Sequence, residues 1–142
     1  MKHLIYIILI CFCIQLNGQN GNDIKDFTIK LTLIEKNSNN LLAGSIIEIF
    51  SGQTRIKTDV SDFDGISFFY LNPKNIIDNK ILLKIHGLKC KILEKEFTIN
   101  NDLNTKIYLE YGETEYTHPK QISEMYKKLN IKPEPSYCGY EK

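Results

Sequence analysis

The chain opens on an unbroken apolar run of 11 residues, Leu4 to Ile14. Lys2 and His3 precede it, and Gln15-Leu16-Asn17-Gly18-Gln19 turns polar after it. Basic, then apolar, then small is the order that a signal peptidase reads, so residues 1–18 are predicted to be a cleavable signal peptide. An uncleaved anchor is the alternative, although a bilayer-spanning helix needs roughly 20 apolar residues. Residues 19–25 are rich in Asn, Gly and Asp and read as a flexible leader.

From residue 26 the period becomes two. Phe27, Ile29, Leu31 and Leu33 alternate with Thr28, Lys30 and Thr32, the mark of a half-buried strand. Short strands follow over Ser45 to Phe50, Thr54 to Val60, Ile66 to Tyr70, Ile81 to Ile85, Cys90 to Ile99 and Leu103 to Tyr111. Ile66, Phe68 and Tyr70 form the apolar alternation of the fourth strand. Turn composition separates the strands, as in Ser51-Gly52-Gln53, Asp62-Phe63-Asp64-Gly65 and Asn72-Pro73. Cys90 and Ile92 share one parity, whereas Leu93, Phe97 and Ile99 share the other. A β-bulge near Leu93 to Lys95 is therefore expected. Seven strands at this spacing predict an all-β fold, a seven-stranded antiparallel β-sandwich over residues 26–111.

The tail, residues 112–142, changes period again. Pro119 suits the first helical position, and Ile122, Met125, Tyr126 and Leu129 fall on one stripe. A helix is predicted over about residues 119–130. Alone it is marginal in water, so the stripe of Ile122, Met125, Tyr126 and Leu129 is expected to dock, by preference on the sandwich itself.

A chain of 142 residues has room for one domain. Its formal charge is +1, and removal of residues 1–18 takes away Lys2 and no acid, leaving 17 basic and 17 acidic residues. A neutral chain whose only arginine is Arg55 offers no footprint for a phosphate backbone, so nucleic acid is not an expected partner. Cys11 and Cys13 follow Ile10 and Phe12, where lipid modification would want a small residue, and they read as filler of the apolar run. Cys90 and Cys138 remain after export, a candidate disulfide with two separate thiols as the alternative.

Candidate chemistry is sparse. Asp59, Asp62 and Asp64 before Gly65 suggest a calcium loop, but no late Glu follows, and hairpin-turn chemistry accounts for Asp64-Gly65. His86, Cys90, Glu94 and Glu96 would share one parity on a continuous strand. Gly87 is expected to break it, and the only other histidine after residue 18 is His118. No nucleophile–base–orienter set is visible. No catalytic, cofactor-binding or metal-binding residue is predicted, and no cofactor.

Three features in fixed order carry a resemblance: Leu42-Ala43-Gly44 opening an apolar strand, Ser61-Asp62-Phe63-Asp64-Gly65-Ile66-Ser67-Phe68, and Ile85-His86-Gly87-Leu88. Together they resemble the carboxypeptidase-regulatory-like domains, a transthyretin-like family of seven-stranded sandwiches common in bacterial envelope proteins. The resemblance implies an accessory or adhesive module. One transthyretin-like branch hydrolyses hydroxyisourate and carries a terminal Tyr-Arg-Gly-Ser pattern. This chain has Tyr137-Cys138-Gly139-Tyr140 instead, so that activity is not expected.

The expectation is thus an exported, non-enzymatic module of the periplasm, outer envelope or extracellular space, without a membrane span after signal cleavage. It would recognise an envelope protein or glycan through its surface. The alternative is a small periplasmic hydrolase or ligand-binding protein with its site in the sandwich loops. A pocket holding His86 or His118 beside carboxylates would favour the alternative, and an exposed apolar patch the interaction module.

Overall fold

Strand boundaries follow the turn residues closely in the computed structural model, which describes residues 25–112 and 118–131. The strands are β1 (Phe27–Glu35), β2 (Ile46–Ser51), β3 (Thr54–Val60), β4 (Ile66–Leu71), β5 (Lys80–His86), β6 (Leu93–Thr98) and β7 (Leu103–Leu109). One helix, α1 (Pro119–Lys128), follows them. Two short 3-10 turns, Pro73–Asn75 and Ile77–Asn79, carry the chain from β4 to β5.

The seven strands make two sheets, ordered β4-β1-β7 and β3-β2-β5-β6. Their inner faces share one core: Ile29, Leu31 and Leu33 of β1 meet Ile47 and Ile49 of β2, Leu83 and Ile85 of β5, and Ile107 and Leu109 of β7. Each such side chain contributes about 1.5–3 kcal/mol on burial. One strand pair departs from the antiparallel expectation. β1 and β7 run parallel, from Ile29↔Leu103 to Glu35↔Leu109. Between Thr98 and Leu103 the chain switches sheets, and it arrives beside β1 already pointing the same way. The whole intervening sandwich serves as the crossover that a parallel pair requires.

The expected bulge in the sixth strand is corrected. The β5–β6 register runs unbroken from Lys80↔Thr98 to Ile85↔Leu93, so Leu93, Phe97 and Ile99 reach the core by simple alternation. Cys90 is not in that strand. It follows the turn at Gly87, with Lys89 at φ 56, and bridges to Tyr111 instead. The register shift lies between β2 and β3, where Ile49 faces Lys57 but Phe50 faces Arg55.

The facing of β4 is also corrected. Ser67, Phe69 and Leu71 are buried, while Phe68 and Tyr70 point to solvent. The strand is apolar on both faces, so alternation alone could not choose between them. The turn before it is self-capped. Asp62 Oδ1 accepts from the backbone N–H groups of Asp64 at 2.9 Å and Ile66 at 2.7 Å, and Gly65 takes φ 67.

Candidate functional site

Alternation should leave the outer face of the four-stranded sheet wet, yet part of it is dry. With Ile47 and Ile49 in the core, Ile46 and Glu48 point outward, as His86 does beside Ile85 on β5. These three are nevertheless only 1%, 6% and 4% exposed. The cover is α1. Gln121 Oε1 accepts from the His118 N–H at 3.0 Å at the helix start. Lys127 and Lys128 oppose the dipole in the last turn, and Asn130, left-handed at φ 57, ends the helix.

Met125 is buried, Leu129 is half-buried, and the Tyr126 hydroxyl donates to the Gly44 carbonyl at 3.0 Å. The side chain of Ile122 lies outside the described residues. Between helix and sheet runs a half-open groove of about 620 Å³, lined by Glu48, Lys84, His86, Ile92, Met125 and Leu129 among others.

Beneath the helix Glu48 ties three strands together. Its Oε1 meets His86 Nε2 at 2.9 Å, and its Oε2 meets a guanidinium nitrogen of Arg55 at 3.0 Å. A carboxylate only accepts, so Nε2 carries the bridging proton. Both Glu48 oxygens are thus engaged, one by His86 and one by Arg55. No hydroxyl or thiol is among the described residues lining the groove; its polar groups are carboxylates, ammonium groups, an amide and the His86 imidazole. Sequence reasoning missed Glu48 and Arg55. The available signal was a carboxylate inside the apolar run Ile46-Ile47-Glu48-Ile49-Phe50, one strand before the only arginine.

The other singled-out residues are scattered. Asp59 accepts from the Ser67 hydroxyl at 2.6 Å, while Asp62 caps its own turn. Cys90 faces the core, and Glu94 pairs with Lys84 at 2.9 Å and Glu96 with Lys80 at 3.1 Å. His86, Cys90, Glu94 and Glu96 thus do not converge, because the turn at Gly87 rotates Cys90 inward. His118 lies at the exposed start of α1. Among the described residues no group of three or more His, Cys, Asp or Glu is placed to hold a metal. Burial pushes the Cys90 thiol up; Cys138, its proposed bridge partner, lies outside the described residues, as do the signal segment and the leader before Lys25.

Burial likewise pushes the Tyr126 phenol above its ordinary value. A raised acid contributes stability that is fully present below its unfolded pKa of about 10 and is lost as pH rises through the folded value. Ultraviolet titration should show a late phenol that Tyr126→Phe removes. Leu129→Asp should bring that phenol back toward its ordinary value and lower the melting temperature by roughly 4–8 °C, the cost of about 1 kcal/mol. A Leu129→Asp protein that melts and titrates like the parent would show that α1 adds nothing to the sandwich.

The three-stranded sheet presents a different outer face. Phe68, Tyr70 and Tyr108 are 49%, 63% and 48% exposed. The Lys30 ammonium lies 5.4 Å from the Phe68 ring centroid, and Phe63 projects from the adjacent β3–β4 turn. No described element covers this face as α1 covers its counterpart.

No known family model matches the chain, and no curated protein matches it. Solved structures do. The group B streptococcus pilus 2b backbone protein is 12% identical with TM-score 0.51, over 68% of this chain and 47% of that one. The Klebsiella pneumoniae 5-hydroxyisourate hydrolase is 8% identical with TM-score 0.48, over 61% of this chain and 92% of that one. BcpA, the major pilin subunit of Bacillus cereus, is 17% identical with TM-score 0.47, over 63% of this chain and 31% of that one. The chain spans about half the length of the streptococcal protein. At such identities the likeness is one of fold, a two-sheet β-sandwich, and it extends no further. No described helix is long and apolar enough to cross a membrane.

Proposed function

We propose that the chain is an exported, non-enzymatic module of the cell envelope, of the carboxypeptidase-regulatory-like kind, that recognises a protein or glycan through its surface. The observation that carries this reading is the asymmetry between the two outer faces. One carries α1, which lines a half-open groove together with Glu48 and His86. The other exposes Phe68 and Tyr70 of β4, with Tyr108 of β7 farther along the same face, and exposed aromatics are enriched at interaction surfaces. The order of residues 2 to 18 supports export.

Expression in a secreting host should yield a chain whose intact mass begins near Gln19. That mature chain should be retained on an isolated envelope fraction, and Tyr70→Ala/Tyr108→Ala should release it. Retention unaffected by the double substitution, or a product that keeps Met1, would count against the reading.

A second reading has one specific observation in its favour, because the groove beneath α1 does place His86 beside Glu48. A small ligand seated there would make the chain a binding protein. Ligand screening by thermal shift, with His86→Ala as control, separates the two readings.

A further inference from the structure

We propose that the outer face of the β4-β1-β7 sheet binds an anionic polysaccharide, with pyranose rings lying on Tyr70, Phe68 and Tyr108 and uronate carboxylates meeting Lys30 and Lys106. The inference rests on the recognition reading above and supplies the chemical class of the ligand.

The strand registers lay out the platform. Tyr70 lies opposite Thr28, Phe68 opposite Lys30, Lys30 opposite Asn104, Thr32 opposite Lys106, and Ile34 opposite Tyr108. Tyr70 and Tyr108 are therefore separated by six positions along β1, roughly 20 Å, and sit on opposite flanks of it. A platform of that length suits an extended chain rather than a single sugar. Aromatic faces accept the C–H faces of pyranose rings, and the intervening Thr28, Thr32 and Asn104 offer donors and acceptors to ring hydroxyls.

Charge selects among glycans. Lys30 and Lys106 stand between the aromatic flanks, and neither is in an ion pair among the described residues. Lys30 lies over the Phe68 ring, which keeps its ammonium on the face instead of out in solvent. Two of the carboxylates bordering the platform are already answered, whereas Asp62 and Asp64 of the β3–β4 turn are exposed and in no ion pair among the described residues. Asp102 accepts from the Thr28 N–H at 2.8 Å and faces Lys25 at 3.6 Å. Glu110 meets Lys36 at 2.9 Å and Lys91 at 3.6 Å, and Asp26 precedes the strand altogether. Among the outward positions of β4, β1 and β7, Lys30 and Lys106 are the charged residues, and they complement a polymer that carries regularly spaced carboxylates.

Affinity electrophoresis and calorimetry of the purified mature chain would use polygalacturonate as probe, with dextran as its neutral counterpart. Polygalacturonate should retard and bind the protein, dextran should not, and binding should weaken as salt rises. Lys30→Ala/Lys106→Ala should weaken binding by roughly tenfold, the sum of two exposed charge contacts, and the Lys→Arg pair should retain it. Tyr70→Ala/Tyr108→Ala should weaken it by roughly tenfold or more, with the melting temperature unchanged because all four side chains are at the surface.

The inference is overturned by any of four results. These are no binding to polygalacturonate, equal binding to dextran, binding indifferent to both double variants, or sedimentation showing that the same substitutions abolish a dimer formed through this face. Failure of the glycan while Tyr70→Ala/Tyr108→Ala still releases the protein from the envelope fraction would leave the recognition reading standing with a protein partner. Failure of both would remove that reading as well.

Discussion

Gly65→Ala should lower the melting temperature of the domain by roughly 10 to 20 °C. Gly65 sits at φ 67, and an ideal Cβ there would lie 2.8 Å from the Leu33 carbonyl oxygen and 3.0 Å from the Leu42 nitrogen. The left-handed conformation costs a non-glycine residue about 1–2 kcal/mol, and here the methyl also strikes backbone that cannot rotate away. Gly65 moreover accepts from the Leu33 N–H at 2.8 Å, so displacing it disturbs the end of β1. A total of about 2–3 kcal/mol corresponds to that fall for a domain of this size. Gly52→Ala is the comparison. It shares the positive φ, but its Cβ would meet only the mobile end of Ile77 at 3.3 Å, so about 1–2 kcal/mol is expected. Equal melting temperatures for the two variants would show that the close approach at Gly65 has no energetic weight.

Glu48→Ala should be nearly as damaging, by about 1–3 kcal/mol or roughly 5 to 20 °C. The loss comes less from the attraction itself than from what is left behind, since His86 stays buried under α1 with its Nε2 partner gone. The asymmetry can be tested directly. Replacing both ends together, as Glu48→Leu/His86→Leu, removes the stranded group as well as its partner and should recover much of the lost stability. A double variant that melts below Glu48→Ala would mean that the pair contributes a net attraction beyond mutual satisfaction.

The sequence made some of this architecture readable, and the physical reason differs by element. β1 alternates from Phe27 to Leu33, with polar residues on one parity, so the burial of Ile29, Leu31 and Leu33 followed from period alone. β4 could not be oriented that way. Ile66-Ser67-Phe68-Phe69-Tyr70-Leu71 is apolar on both parities, and only the pairing with β1 decides which set turns inward. The irregularity at Cys90 was visible as a parity conflict, but a turn resolves such a conflict as well as a bulge does. The site was harder still. Its defining contact joins Glu48 to His86 across 38 residues, and nothing local in either strand announces the other. The stripe on α1 was legible, whereas the surface beneath it was not, because an outer sheet face carrying Glu48, Lys84 and His86 looks wet until something covers it.

The parallel pairing of β1 with β7 bears on how the sandwich comes together. Ile29 and Leu103 are register partners 74 residues apart, so the middle strand of one sheet has β4 alone beside it until the last strand has been made. β2, β3, β5 and β6 can pair through shorter connections well before then. Closing so long a loop late raises contact order and slows folding. It also leaves the apolar inner edge of β1 unpaired while the chain lengthens. A chain held open in this way is slow to become compact, and under the export reading proposed above that delay is an advantage, because a chain threaded through a membrane must cross before it folds.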